Sequence, residues 1–198
     1  MMLIGSDMSV GPIFGRLIFL LFIAFGVLSL KTPSQADSPR SPASKEEENA
    51  FVGVLRMQDP QKPESRQAVI DAIAGLTGLC RAHSLKSREA YSQLTRYIGF
   101  EDAERFSFSQ TNLDTHPAMA ALYFAGDEAL PFLGDVIADE DSNSRRSILA
   151  LWTVISIERN FREAYSTLAD MAKRASTRER RQKLMIAARK AAAYDPME

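Results

Sequence analysis

The chain has 198 residues and a formal net charge of −1, which allows one domain of ordinary size and excludes a global field for capturing nucleic acid or an acidic substrate. A single cysteine, Cys80, excludes an internal disulfide framework. With 45% hydrophobic and 25% charged residues the composition is that of a globular protein, so stability has to come from packing.

The first feature along the chain is an uncharged run, Leu17 to Leu30 (LIFLLFIAFGVLSL), preceded by Arg16 and followed by the small residues Ser34 and Ala36 around Gln35. A basic start, a short apolar run and an A-x-A-like end describe a secretory signal, with cleavage expected after Ala36. Met8 as an alternative start would leave a purely basic opening. The competing reading is an uncleaved anchor, which needs about 20 apolar residues and would reach back to Val10, enclosing Arg16. A buried core helix is a third reading. Residues 1–36 are therefore expected to be a signal peptide or anchor, with residues 10–30 as the point of any membrane association. The protein is expected to be exported, periplasmic or secreted, or held to the membrane by this one segment. Residues 37–44 continue a Pro- and Ser-rich stretch without a large apolar side chain. Such a stretch cannot bury enough surface to offset its ordering entropy, so a disordered linker is expected there.

From Lys45 to residue 198 apolar residues recur at three- and four-residue steps, which predicts an all-α domain. Phe51, Val54, Leu55 and Met57 mark a first helix, stopped near Asp59-Pro60 because proline has no amide to donate. Val69, Ile70, Ile73, Leu76 and Cys80 line a second, and Tyr91, Leu94, Tyr97 and Ile98 a third. Glu101 to Asp114 is the least periodic region, with Phe106 and Phe108 expected in a packed loop. Thr115 is expected to cap the next helix, with Pro117 in its first turn and Met119, Leu122, Tyr123 and Phe124 following. Leu130, Leu133, Val136 and Ile137 form another stripe, then Ile148, Leu151, Trp152 and Ile155. Tyr165, Leu168 and Met171, and finally Leu184, Met185 and Ala188, complete the series.

Three of these helices share a word. Arg88-Glu-Ala-Tyr-Ser-Gln-Leu94 matches Arg162-Glu-Ala-Tyr-Ser-Thr-Leu168, and Asp127-Glu-Ala-Leu-Pro-Phe-Leu133 keeps the Glu-Ala and the final Leu. The words recur at steps of about 35 to 40 residues, the range of helix-pair repeats. A second echo, Ser65-Arg66 and Ser144-Arg145, opens the partner helices. The unit Ala125 to Ser156 resembles a HEAT repeat, of the kind also found in phycobilisome-lyase-like HEAT families. Pro131 stands in its first helix, Asp139 in its turn and Arg145 at the start of its second helix. The resemblance implies a short α-solenoid of antiparallel helix pairs, here preceded by an N-terminal hydrophobic segment, and it implies no lyase chemistry. The outer units lack the proline, and Glu101 to Asp114 fits no repeat, which leaves a tetratricopeptide-like array as the alternative. Trp152, mid-helix, is expected to be a keystone of the core.

Candidate chemistry is sparse. Asp139-Glu-Asp141-Ser-Asn143 opens like a calcium loop, but Ser144 and Ala150 replace the glycine and the bidentate glutamate that such a loop needs, so an acidic capping turn is expected. His83 and His116 lack partners at metal-ligand spacing. Cys80 lies on an apolar face without an activating base and reads as a small buried hydrophobe. No catalytic residue, metal or cofactor is therefore expected. Lys173, Arg174, Arg178, Arg180, Arg181, Lys183, Arg189 and Lys190 face only Glu179 in sequence. That run reads either as a solvated outer face or as a surface for an anionic partner, with Lys173, Arg174, Arg178, Arg181 and Lys183 as its patch. The leading functional expectation is a non-enzymatic interaction module in the cell envelope, holding an unidentified protein or peptide through exposed residues around Arg145, Ser147 and Glu158. The alternative is a peripheral protein bound to anionic lipid through its basic last helix. No nucleic-acid partner is expected.

Overall fold

The computed structural model describes residues 42–102 and 112–193. The signal-or-anchor segment, residues 37–41 of the expected linker and the loop containing Phe106 and Phe108 lie outside the described residues. Helix α1 spans Pro42–Met57, α2 Arg66–Arg81, α3 Arg88–Arg96, the single turn α4 Asn112–Thr115 and α5 Pro117–Ala125. A 3-10 turn, Gly126–Ala129, leads into α6 (Leu130–Asp139), followed by α7 (Arg145–Glu158), α8 (Phe161–Arg174) and α9 (Arg178–Ala193). No strand occurs among the described residues, in line with the expected all-α class. None of their helices is long and apolar enough to cross a membrane. Helix α1 starts at Pro42, inside the stretch expected to be linker. A proline costs nothing at a first helical position, where the amide would have no partner.

The starts of the helices follow side-chain chemistry. Ser65, Ser87 and Ser144 each accept a bond from the amide three residues on, from Ala68, Ala90 and Ser147. Asn160 accepts from the Arg162 amide at 2.8 Å. These bonds satisfy amides that have no intrahelical acceptor. The two Ser-Arg echoes thus open α2 and α7 as true caps. The expected Thr115 cap is not observed. Thr115 ends α4, and His116 takes the cap position of α5 without a side-chain bond to its amides. The Thr115 hydroxyl lies 2.8 Å from His116 Nδ1. Pro117 does occupy the first turn of α5.

Packing follows chain order. Helix α1 packs on α2, α3 on α5, α6 on α7 and α8 on α9. The first members of these pairs also touch in the order α1, α3, α6, α8, and the second members in the order α2, α5, α7, α9. Helix α9 departs from the sequence by reaching back onto α6 as well. Helix α5 is apolar around its circumference, with Pro117, Ala118, Met119, Ala121 and Leu122 buried. A helix of that kind belongs inside, and α5 sits among α2, α3 and α7. The repeated word keeps its register throughout: Ala90, Ala129 and Ala164 are fully buried, as are Leu94, Leu133 and Leu168 one turn later.

Two mid-helix glycines mark close approaches. A methyl group on Gly75 would collide with the Phe51 ring, and one on Gly134 would lie 2.6 Å from Met171 Sδ. Trp152 is not the expected keystone. It is half-buried and packs against the core from its rim, beside Ile148, which is 40% exposed. The inward stripe of α7 is formed by Leu149, Ala150, Thr153 and Val154. Trp152 and Ile148 sit one turn apart along the edge of α7, where α9 covers it only thinly.

Candidate functional site

Two clefts and one turn gather the polar chemistry of this body. The first cleft, about 720 Å³, lies where α6, α8 and the start of α9 meet. Leu130, Pro131, Met171 and Leu184 give it apolar walls, while Asp127, Asp135, Asp170, Glu158, Arg174 and Arg180 supply charge. Pro131, expected as a repeat marker, therefore lines a concavity. Part of the charge is already fixed. Thr167 donates to Glu158 at 2.6 Å, and Arg174 Nε donates to the Asp170 carbonyl at 3.2 Å.

The Asp139–Asn143 turn is occupied by cations of this same chain. Arg180 pairs with Asp135 and, at 2.9 Å, with Asp139. Glu140 pairs with Arg146. Lys190 donates to the Ser142 carbonyl at 2.7 Å and to Asn143 Oδ1 at 3.0 Å. Asp141 accepts from the Asn143 amide at 2.7 Å. A hard cation would need these oxygens free and convergent, and no group of metal-ligand residues occurs among the described residues. Asp139, expected in the repeat's turn, pairs with the last helix and not with Arg145.

Several cations of the C-terminal basic run have partners, Arg180 in the turn before α7 and two lysines on their own helices. Lys173 holds Asp170 at 2.8 Å, and Lys183 holds Glu179 at 3.0 Å and reaches the Asp139 carbonyl at 3.4 Å. The residues expected as one patch are divided: Arg174 lines the first cleft, while Lys173 and Arg181 line a shallow one between α8 and α9. Arg178 and Arg181 are exposed.

The expected recognition row on the second helices does not form. Ser147 is buried at 4% exposure, its amide donating to the Ser144 hydroxyl, and Glu158 is taken by Thr167. Arg145 is exposed and belongs to a different cluster. It pairs with Glu101, whose carbonyl accepts from Arg66. Arg66 lies 4.8 Å over the Phe100 ring. Together with Asp59, Arg96 and Arg146 these residues line a second cleft of about 760 Å³. The Arg96 guanidinium reaches the Leu55 and Arg56 carbonyls at 3.4 Å, and Arg146 reaches the Thr95 carbonyl at 3.3 Å. Sequence reading misses this cluster because its four arginines come from three helices. The Ser-Arg echo is the one signal that marked two of them.

The remaining candidates are structural. Cys80 is 2% exposed, and burial, reinforced by the Glu128 and Glu48 carboxylates, pushes its thiol up to about 12. It is therefore an unreactive thiol at neutral pH. His83 is an exposed turn residue with a φ of 51°. His116 is 4% exposed, with Nε2 3.6 Å from Glu101. Tyr91 has its hydroxyl 2.7 Å from Glu128 and 2.9 Å from the Leu85 carbonyl, and burial raises it well above the usual phenol range. Glu128 is held below the usual carboxylate range first by that hydroxyl and then by Lys86. The chain matches no family model, and no curated protein or solved structure matches it.

Proposed function

We propose that this protein is a non-enzymatic interaction module, a short α-solenoid whose helix pairs hold another protein or peptide, exported or tethered by its N-terminal segment. The observation that carries this reading is the chain-order stacking of both helix rows, with first members touching first members and second members touching second. That arrangement is the one in which each pair covers its neighbour's apolar stripe, and it leaves extended grooves between units. The HEAT-like unit lies centrally in it, with Pro131 and Arg145 on separate clefts. The α6–α8–α9 cleft combines apolar walls with unlike charges, the mixture that suits a protein segment more than a membrane. Lys183 and Lys190, engaged with this chain's own oxygens, leave the basic last helix less charge for lipid.

A photo-crosslinking residue placed at Pro131 or Asp127 of the full-length protein, in its native envelope, is expected to capture one discrete protein. The same residue at Gln67, exposed on α2, is expected to capture none. Equal yields at all three positions, or adducts to lipid alone, would refute the reading.

A further inference from the structure

The second cleft differs from the first in the sign of its charge. Four arginines and two carboxylates, Asp59 and Glu101, line its 760 Å³, and one of the arginines, Arg146, is also paired with Glu140 behind the lining. Asp59 accepts from the Gln61 amide at 2.9 Å, so its charge is directed to the loop's own backbone. Arg66 and Arg145 stand at the first helical positions of α2 and α7, immediately after the capping serines. The partial positive ends of two helices therefore add to the guanidinium charges at the same mouth. Both side chains are pinned. Arg66 is stacked on Phe100 and bonded to the Glu101 carbonyl, and Arg145 is paired with the Glu101 carboxylate. Glu101 also lies 3.6 Å from His116, so its carboxylate sits beside Arg145 and His116 while its backbone carbonyl holds Arg66. Its side chain is 49% exposed, so an incoming carboxylate can reach the same point from solvent.

We infer that this arginine cleft is a binding site for an acidic peptide segment, whose carboxylates join or displace Glu101 between Arg66 and Arg145. A planar guanidinium fork matches a carboxylate in two parallel bonds. Phe100, itself buried at 4% exposure, braces Arg66 from beneath. The cleft draws four arginines from three helices, which suits a run of acidic residues over a single small anion. This site is separate from the α6–α8–α9 groove and stands whether or not that groove holds a protein.

The test uses the full-length protein in mild detergent and a fluorescein-labelled hexaglutamate peptide, followed by fluorescence anisotropy. Binding is expected at low salt and weakens as salt is added, because exposed charge pairs are screened. The double variant Arg66→Gln/Arg145→Gln is expected to lose at least about tenfold in affinity, and Arg178→Gln/Arg181→Gln on the last helix to change it less than about twofold. Glu101→Gln removes the resident competitor, leaves the arginines in place, and is expected to tighten binding by about threefold or more. Its gain keeps the proposal open to test even if the double variant unfolds. No binding by the wild-type chain, equal losses in the two double variants, or weaker binding by Glu101→Gln would overturn the inference. Displacement of the peptide by inorganic phosphate at concentrations where acetate has no effect would also overturn it, in favour of a phosphate site.

Discussion

The words Arg88–Leu94 in α3 and Arg162–Leu168 in α8 differ only at Gln93 and Thr167, yet their tyrosines live in different surroundings. Both words bury their alanine and leucine completely. Tyr91 is 3% exposed, stacks on Phe132 with ring centroids 5.0 Å apart and places its hydroxyl against Glu128. Tyr165 is 37% exposed, beside a shallow cleft with Ala169 and Met185. The partners of Tyr91 come from the next word, in the turn before α6 and in α6 itself. Helix α8 has no such successor among the described residues. The alanine and leucine thus face the pair's own core, while the tyrosine faces the next unit along the chain.

The sharpest way to break this comparison is truncation. Tyr91→Ala is expected to cost about 3–5 kcal/mol by leaving a cavity between units, and Tyr165→Ala less than about 1 kcal/mol. Urea unfolding of the two variants checks this, and equal losses would mean that both tyrosines serve the same packing. Leu94→Ala and Leu168→Ala should instead behave alike, each costing about 2–5 kcal/mol. A loss at one leucine only would show that the shared register has no energetic meaning.

A smaller effect sharpens the contrast through pH. Glu128 has its folded-state value below the ordinary 4.5, so its pairing stabilises the fold above that value and is lost as pH falls through the depressed one. Glu128→Gln should therefore melt earlier than wild type at neutral pH, by about 1 kcal/mol or less because the group is half exposed. The gap should close in acid, and a gap that widened instead would reverse the assigned sign.

Helix positions were legible because spacing and punctuation agreed: apolar stripes set the phase, Pro60 ended α1, and Ser65 and Ser144 opened α2 and α7. Trp152 was misread because helical spacing reports that a residue is near a face, and not how completely a neighbour covers that face. Thr115 does not cap α5 because it closes α4, and His116 takes the cap position. The charge clusters were the least legible. Density along the chain pointed to residues 173–190, where the fold supplies Asp135, Asp139 and Asp170 as partners. Arg66, Arg96, Arg145 and Arg146 are dispersed in sequence, and only tertiary packing brings them to one mouth.

Each end of the body adds a contact of a different kind to its apolar packing. At the beginning, the Phe51 ring lies against the bare backbone of Gly75; at the end, Arg180 and Lys190 hold the Asp139–Asn143 turn. Apolar contact weakens on cooling, whereas ionic contact at the surface weakens in salt. Each end therefore has one contact with its own response: cooling weakens the seat of Phe51 on Gly75, and salt weakens the hold of Arg180 on the turn.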